Sequence, residues 1–158
     1  MKFAVDKMLG RLAKWLRILG CDTLFDPYAT QAAIVKQAAE EKRVFISRDS
    51  KLTKSSGIPE LFIVQSERYQ DQLREVVSRF RLDIHSKLFT RCTVCNEEIL
   101  PVEKDTVRES LPEKSALNFD SFHQCPKCKR VYWGGTHTEN TKRRLKEIFP
   151  ELTGGELN

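Results

Sequence analysis

Residues 1–22 read MKFAVDKMLGRLAKWLRILGCD, and this stretch decides the fold. The apolar run at 2–5 has the pattern of a short buried strand, and Asp6 follows it directly. Apolar residues then recur at helical spacing across 8–19, and Gly20 is a suitable stop signal. A strand with an acid at its end and a helix immediately after it are typical of the first unit of a parallel α/β sheet.

The same alternation continues through the first half of the chain. Further strands are predicted at 22–25, 43–47 and 61–65, and further helices at 30–41 and 67–81. Strands that alternate with helices indicate a parallel sheet flanked by helices, so we predict an α/β fold. In such sheets the functional site lies beyond the carboxyl ends of the strands.

Aspartates follow three of the predicted strands. Asp6 comes directly after the first strand, Asp26 lies just past the second, and Asp49 follows the third. Carboxylates that converge need a counter-charge, and Mg²⁺ and Mn²⁺ prefer such oxygen ligands. The simpler alternative for each acid is a helix N-cap or a surface ion pair. Together they favour a catalytic Mg²⁺ or Mn²⁺ site held by Asp6 and Asp49.

Four cations accompany the helix that follows Asp6. They are spaced four, three and three residues apart, which puts them on the side opposite the leucines, at Lys7, Arg11, Lys14 and Arg17. A solvated outer face is the simpler alternative. An acidic site that cleaves a polyanion, however, needs flanking cations to hold the phosphates that its carboxylates repel.

Positive charge is also concentrated near the C-terminus. The chain carries a formal net charge of +5. In the segment 127–146 the single acid Glu139 stands among the cations Lys127, Lys129, Arg130, Lys142, Arg143, Arg144 and Lys146. Such a field attracts polyanions, commonly nucleic acid, although a solvated lysine-rich surface has the same composition. No apolar stretch approaches the roughly 20 residues that cross a bilayer, so we expect a cytoplasmic protein with no membrane partner.

Four of the five cysteines form two Cys-x-x-Cys pairs, CTVC at 92–95 and CPKC at 125–128. Each pair lets one tight turn present two thiolates, and two such turns complete a tetrahedral Zn²⁺ site. The spacer of 29 residues exceeds the usual length of about 15–20, so an insertion must loop out between the pairs. Disulfides and a redox pair are the weaker alternatives. We predict one structural zinc ion bound by Cys92, Cys95, Cys125 and Cys128.

The pattern of strands and helices changes near Leu88, where cysteines, prolines and charged turns begin to dominate. We therefore predict an α/β domain at 1–87 and a small zinc-binding domain with a basic tail at 88–150. Residues 151–158 are expected to be flexible.

Four blocks of the sequence carry a family resemblance: FAVDKMLGRLAKWLRILGCDT at 3–23, RVFISRD at 43–49, RCTVCN at 91–96 and CPKCKRVYWGGTH at 125–137. In this order they resemble the PIN-like ribonucleases, and within them the Mut-seven C-terminal RNase domain family. The resemblance implies a PIN-like parallel sheet flanked by helices, followed by a small four-cysteine zinc ribbon, and a metal-dependent RNase activity.

The resemblance also implies roles for single residues. Asp6 and Asp49 match acids of the family, and three cations match its basic helix positions: Arg11, Lys14 and Arg17. One position departs from the family pattern. Gln31 stands near the start of the second helix, where the family often has an acid. We expect Asp22 or Asp26 to substitute for that acid and to assist Asp6 and Asp49.

The predicted function is a Mg²⁺- or Mn²⁺-dependent ribonuclease that hydrolyses RNA phosphodiesters by in-line attack of water. The expected partner is RNA, single-stranded or structured, with contacts at Arg48 and in the ribbon at Lys129, Arg130, Tyr132, Trp133 and His137. The main alternative is a non-catalytic RNA-binding or adaptor protein, which the missing acid favours. A toxin-like nuclease held by a protein partner is a third hypothesis, which no residue of the chain supports.

Overall fold

The computed structural model describes residues 1–52, 58 and 60–150 of the chain. Two compact units divide the chain, Met1–Asn96 and Glu97–Asn158. Residues 88–96, which we grouped by composition with the second domain, are therefore counted with the first unit. The flexibility predicted for 151–158 falls outside the described residues.

The first unit is built on a four-stranded sheet in the order β2-β1-β3-β4, with every neighbouring pair parallel. Its strands are β1 (Lys2–Val5), β2 (Asp22–Leu24), β3 (Val44–Ser47) and β4 (Leu61–Ile63). Each strand lies within a range predicted from the sequence. The predicted α/β class, a parallel sheet flanked by helices, is confirmed.

Helices cover both faces of this sheet: α1 (Gly10–Ile18), preceded by a 3₁₀ turn (Lys7–Leu9), α2 (Gln31–Glu40) and α3 (Tyr69–Phe80). Successive residues of a strand point to opposite faces. Ala4 and Phe45 pack with Ile34 of α2, whereas Phe3 meets Phe80 of α3 with ring centroids 5.4 Å apart. Since α1 packs against α3, these two helices share one face and α2 covers the other.

Gly20 makes the turn between α1 and β2 with a φ of +80°, a conformation that only glycine adopts without strain. A Cβ atom at this position would also collide with the backbone oxygen of Lys87. The predicted stop of the helix therefore has two physical reasons.

The strand order places β1 and β3 side by side although they are not consecutive in sequence. The chain moves from β1 outward to β2 and then returns past β1 to β3. Val5 is level with Ile46, so the residues that follow these two strands leave the sheet together. In open parallel sheets, ligands bind at such a reversal of strand order.

The second unit contains a three-stranded antiparallel sheet in the order β5-β6-β7. Its elements are β5 (Leu100–Val102), α4 (Lys104–Val107), α5 (Glu113–Asn118), β6 (Phe122–Gln124), β7 (Val131–Trp133) and α6 (Thr136–Ile148). The short helices α4 and α5 occupy the spacer between the cysteine pairs, so the predicted insertion is present. Among the described helices of both units, none combines the length and the apolar character that a bilayer crossing requires.

Candidate functional site

The side chain of Asp6 lies at the carboxyl end of β1 and is nearly buried, with 8% of the residue exposed. Its Oδ2 atom accepts hydrogen bonds from Ser47 Oγ at 2.7 Å and from Gln31 Nε2 at 3.1 Å. Its Oδ1 atom accepts a longer bond of 3.4 Å from the backbone N–H of Met8, so Asp6 also caps the 3₁₀ turn. In the described part of the chain, no cationic side chain forms an ion pair with Asp6. The carboxylate therefore faces neutral donors.

Ser47 connects the two acids that the sequence placed at this edge. Its hydroxyl is fully buried; it donates to Asp6 and accepts from the backbone N–H of Asp49 at 3.0 Å. The Asp49 side chain is exposed and accepts from the backbone N–H of Lys51 at 2.9 Å. Sequence reasoning missed Ser47. The available signal was a single polar residue that ends the apolar run VFIS at the same edge as Asp6.

A small cleft beside Asp6 also contains Asp26 and Gln31. Its volume of about 10 Å³ is enough for one water-sized particle. Asp26 is exposed, and its Oδ1 atom accepts from the backbone N–H of Tyr28 at 2.8 Å. The structure thus brings Asp26 to the predicted site and places the amide of Gln31 directly on Asp6.

Asp22 lies at the opposite edge of the sheet, so the expectation that it assists Asp6 is not met. It is level with Lys2 at the start of β1, and four residues of strand correspond to about 13 Å. Its Oδ1 atom accepts hydrogen bonds from Arg43 Nη1 at 2.6 Å and from Asn96 Nδ2 at 2.7 Å. The register of β1 and β2, which the sequence does not give, decides this placement.

Arg17 is not at the surface, where the predicted phosphate contact requires it to be. Only 5% of the residue is exposed. Its Nε and Nη2 atoms donate to the carbonyl of Thr23 at 3.0 and 2.9 Å. Its Nη1 atom donates to the carbonyls of Thr93 and Val94 at 3.2 and 2.8 Å. The guanidinium joins β2 to the first cysteine turn, so we assign Arg17 a structural role in place of the predicted phosphate contact.

The other predicted RNA contacts lie at the surface. In the first unit, Lys7, Arg11 and Lys14 are exposed, and Arg48 Nη2 lies 3.3 Å from Glu67 Oε1. Of the predicted contacts in the second unit, Lys129, Arg130 and His137 are exposed, and Tyr132 and Trp133 are half-buried. The Trp133 ring packs near Phe122 at 6.3 Å between centroids. RNA contacts at these positions stay predictions.

The sulfur atoms of Cys92, Cys95, Cys125 and Cys128 all lie within 4.8 Å of one another. Tetrahedral Zn²⁺ with Zn–S bonds of about 2.3 Å separates its sulfurs by about 3.8 Å, so this donor set fits a structural zinc ion. All five cysteines belong to the described residues, and none of them forms a disulfide. Four sulfurs would fill the coordination sphere, which is typical of a structural rather than a catalytic site.

Each cysteine pair belongs to a turn of the same geometry, which we call the first knuckle (92–96) and the second knuckle (125–129). In both, the second cysteine N–H points to the first sulfur, at 3.3 and 3.5 Å. In both, the following residue closes the turn with a hydrogen bond of 3.0 Å to the first cysteine carbonyl. Those residues, Asn96 and Lys129, have φ values of 69° and 61°. The repeated geometry supports the reading of both pairs as halves of one metal site.

Comparison with curated proteins and with solved structures finds no match. Comparison with protein families matches residues 1–145 to the family described as Mut7-C RNAse domain. The match includes both knuckles and the carboxyl end of the sheet with Asp6 and Asp49, which we call the acidic edge. It covers most of the chain. It indicates a ribonuclease-like function related to nucleic acid. The chain belongs to the Mut7-C RNAse domain family.

Proposed function

We propose that this protein is a ribonuclease that uses Mg²⁺ or Mn²⁺ at the edge formed by Asp6 and Asp49. The observation that carries the proposal is the environment of Asp6. Its nearly buried carboxylate meets neutral donors, and it lies where the strand order reverses. A buried charge is stable only with a partner of opposite sign or with several good hydrogen bonds, and a divalent cation would supply the former.

The side chains at this edge fit a hard divalent ion. Asp6 and Asp49 would hold it through carboxylate oxygens, with Asp26 in the adjoining cleft. When bound, such an ion polarises a phosphoryl oxygen and makes water a stronger nucleophile. Ser47 would keep the Asp6 carboxylate oriented and the backbone of Asp49 close to it.

Cations on the same unit would hold the RNA backbone. Lys7, Arg11 and Lys14 are exposed beside the edge, and Arg48 directly precedes Asp49. Phosphate contacts of this kind position a strand without reading its sequence. The ribbon would also contact RNA, through Lys129, Arg130 and His137 and through the aromatic rings of Tyr132 and Trp133.

The four-cysteine cluster would hold structural zinc. Cys92, Cys95, Cys125 and Cys128 supply four thiolates, which leave no position for water or substrate. The ion would therefore contribute to folding and take no part in hydrolysis.

A second candidate function, RNA binding without cleavage, is favoured by Gln31. Its amide donates to Asp6 Oδ2, where a second carboxylate would otherwise share a metal ion. Within the described residues, the four cysteines form the one group of three or more ligating side chains close enough to hold an ion. An edge with fewer acids binds Mg²⁺ more weakly.

Cleavage of single-stranded RNA with and without Mn²⁺ tests the first proposal. Asp6→Asn and Asp49→Asn should each reduce the rate by about 100-fold or more, because a lost ligand removes several kcal/mol of transition-state stabilisation. The matched control is Asp105→Asn, an exposed acid of the second unit, which should keep the parent rate. Equal rates in all four proteins would contradict hydrolysis at this edge. RNA retention by a parent that never cleaves would support the second candidate.

A further inference from the structure

A basic groove lies on the α1 and α3 face of the first unit, next to the acidic edge. Three arginines, Arg11, Arg48 and Arg68, line it together with Tyr69 and Glu67. Its volume is about 380 Å³, within the range of sites that hold small ligands. We call it the arginine groove. With three cations against one acid, its lining favours an anion.

The arginine groove adjoins the acidic edge through the chain itself. Met8 lines the groove, and its N–H donates to the Asp6 carboxylate. Arg48 is the residue before Asp49. A polymer lying in the groove would therefore pass close to both acids.

Aromatic rings hold one of the arginines in place. The Arg11 guanidinium carbon lies 5.7 Å from the centre of the Tyr69 ring, and Tyr69 stacks with Trp15 at 5.9 Å. A cation held over an aromatic face loses little freedom when it binds an anion. Because Tyr69 already contacts both neighbours, we assign its ring to positioning Arg11 and not to stacking on a base.

The loop at the far side of the groove is fixed by a buried amide. Gln72 is 4% exposed, and its Nε2 atom donates to the carbonyls of Ser66 and Glu67 at 3.0 and 3.1 Å. This anchors the loop that carries Glu67 and Arg68. Tyr69 begins α3 in the same groove, and the N-terminus of a helix adds a field that favours anions.

The pair between Arg48 and Glu67 is open to competition. The side chain of Glu67 is 87% exposed and that of Arg48 is 41% exposed, and their atoms meet at 3.3 Å. An exposed pair of this kind contributes little to stability. A phosphate, which accepts hydrogen bonds from a guanidinium fork on two oxygens, binds arginine better than a solvated carboxylate with a single contact does.

We propose that the arginine groove binds a backbone phosphate of an RNA strand, next to the phosphate at the acidic edge, and that the strand displaces Glu67 from Arg48. The proposal rests on the proposed function, since it names the path of the same substrate. It predicts recognition that is independent of base sequence and dependent on salt.

The test is binding of a fluorescent 12-residue uridine RNA in the Asp6→Asn protein, measured by anisotropy at several salt concentrations. Arg11→Gln and Arg68→Gln should each weaken binding about tenfold, which corresponds to the loss of one charge-assisted contact. Each should also flatten the dependence of log affinity on log salt by about 0.7. Glu67→Gln should tighten binding by about threefold, because the RNA no longer competes with a carboxylate.

The matched control is Arg79→Gln, on the same helix α3 but outside the groove lining. Thermal unfolding of every variant checks that the fold is retained, and Arg11→Lys should restore part of the affinity because it keeps the charge. Losses of RNA affinity in Arg11→Gln and Arg68→Gln no larger than in Arg79→Gln would overturn the proposal that the groove binds RNA. So would preferential binding of a hexaglutamate peptide over RNA.

The two proposals fail separately. If hydrolysis is wrong and the groove is right, the arginine variants bind RNA weakly although no variant or parent cleaves it. If the groove is wrong and hydrolysis is right, Asp6→Asn and Asp49→Asn lose cleavage while the arginine variants bind and cleave like the parent, which overturns the groove alone.

Discussion

The two edges of the parallel sheet each hold an aspartate, but the surroundings of the two carboxylates differ. At the carboxyl edge, Asp6 accepts hydrogen bonds from Ser47 and Gln31, both neutral. At the amino edge, Asp22 contacts Arg43 at 2.6 Å as well as the amide of Asn96. Among the described residues, the amino edge therefore contains its own counter-charge, and the carboxyl edge does not.

The difference supports a structural role for Asp22, and it is the basis on which we propose a functional role for Asp6. Partial burial opposes ionisation of Asp22, yet the hydrogen bonds from Arg43 and Asn96 hold its pKa below the ordinary value of 3.8. The charge of Asp22 is neutralised inside the fold, so this carboxylate attracts a cationic ligand only weakly. The charge of Asp6 has no such partner among the described residues, and this is the physical basis for expecting a cation there.

Removal of zinc should have the largest effect on stability, and the amino edge should lose its structure before the carboxyl edge does. Asn96 of the first knuckle accepts from the N–H of Thr23 at 2.8 Å, whereas the N–H of Asp6 donates to Ile46 inside the sheet. After chelation, we expect a large loss of stability, because structural zinc supplies folding free energy directly. Amide hydrogen exchange should show lost protection at Thr23 and retained protection at Asp6. Protection that persists at Thr23 after complete chelation would contradict this dependence.

Arg43→Gln should be the most destabilising single substitution of the comparison. The side chain of Arg43 is 8% exposed, and its loss removes the ion-pair partner of Asp22, which costs about 3 kcal/mol of unfolding free energy. Asp6→Asn should change that free energy by less than about 1 kcal/mol, since the amide also accepts from Ser47. Urea denaturation measures both, with exposed Lys36→Gln as the control. An equal loss in Asp6→Asn and Arg43→Gln would mean that both edges are structural.

Gln31→Glu should give the carboxyl edge a second carboxylate beside Asp6, at the position where the family resemblance implies an acid. Without added metal, the new carboxylate repels Asp6 and lowers the unfolding temperature. With Mn²⁺, two carboxylates share the ion, and the concentration that gives half of the thermal shift should fall about tenfold relative to the parent. Asn140→Asp makes the same change of charge at an exposed site. A response of Gln31→Glu to Mn²⁺ no stronger than that control would count against a metal at this edge.

The smallest effect should appear in acid. Because the pKa of Asp22 is lower in the folded protein than its ordinary 3.8, its stabilising charge is present above pH 3.8 and lost as the pH falls through the folded value. The difference in unfolding temperature between the parent and Asp22→Asn should therefore shrink by a few degrees as the pH falls below the pKa of Asp22 in the folded protein. Thermal melts across the acid range measure this. A constant difference at every pH would show that the charge of Asp22 does not contribute.

The sequence predicted those parts of the fold that depend on local spacing. The period of two or 3.6 residues gave the strands and the helices, and Cys-x-x-Cys marked both knuckles. Asp6 and Asp49 could be assigned to one edge because each follows a strand of the same direction. These features require no knowledge of which distant residues meet.

Arg17 and Asp22 were placed wrongly in space because their positions depend on long-range packing. Steps of three residues fall about 60° short of a full helical turn, so the line of cations that begins at Arg11 has rotated by about 120° at Arg17. There the guanidinium meets β2 and the first knuckle, 76 and 77 residues away in sequence. Ser47 was missed for the same reason. Its contact with Asp6 depends on strand pairing, and the sequence shows only one hydroxyl at the end of an apolar strand.

The first knuckle limits where the chain can be divided into separate domains. Asn96, Thr93 and Val94 complete the bonding of Thr23 and of the Arg17 guanidinium, although they are part of a cysteine motif. A chain cut at residue 87, where the composition changes, would leave the buried Arg17 guanidinium without two of its carbonyl partners. It would also destabilise β2, which lies at one side of the sheet. The first knuckle and the parallel sheet therefore depend on each other, and transplanting the ribbon into another protein requires carrying the first knuckle, Arg17 and β2 along with it.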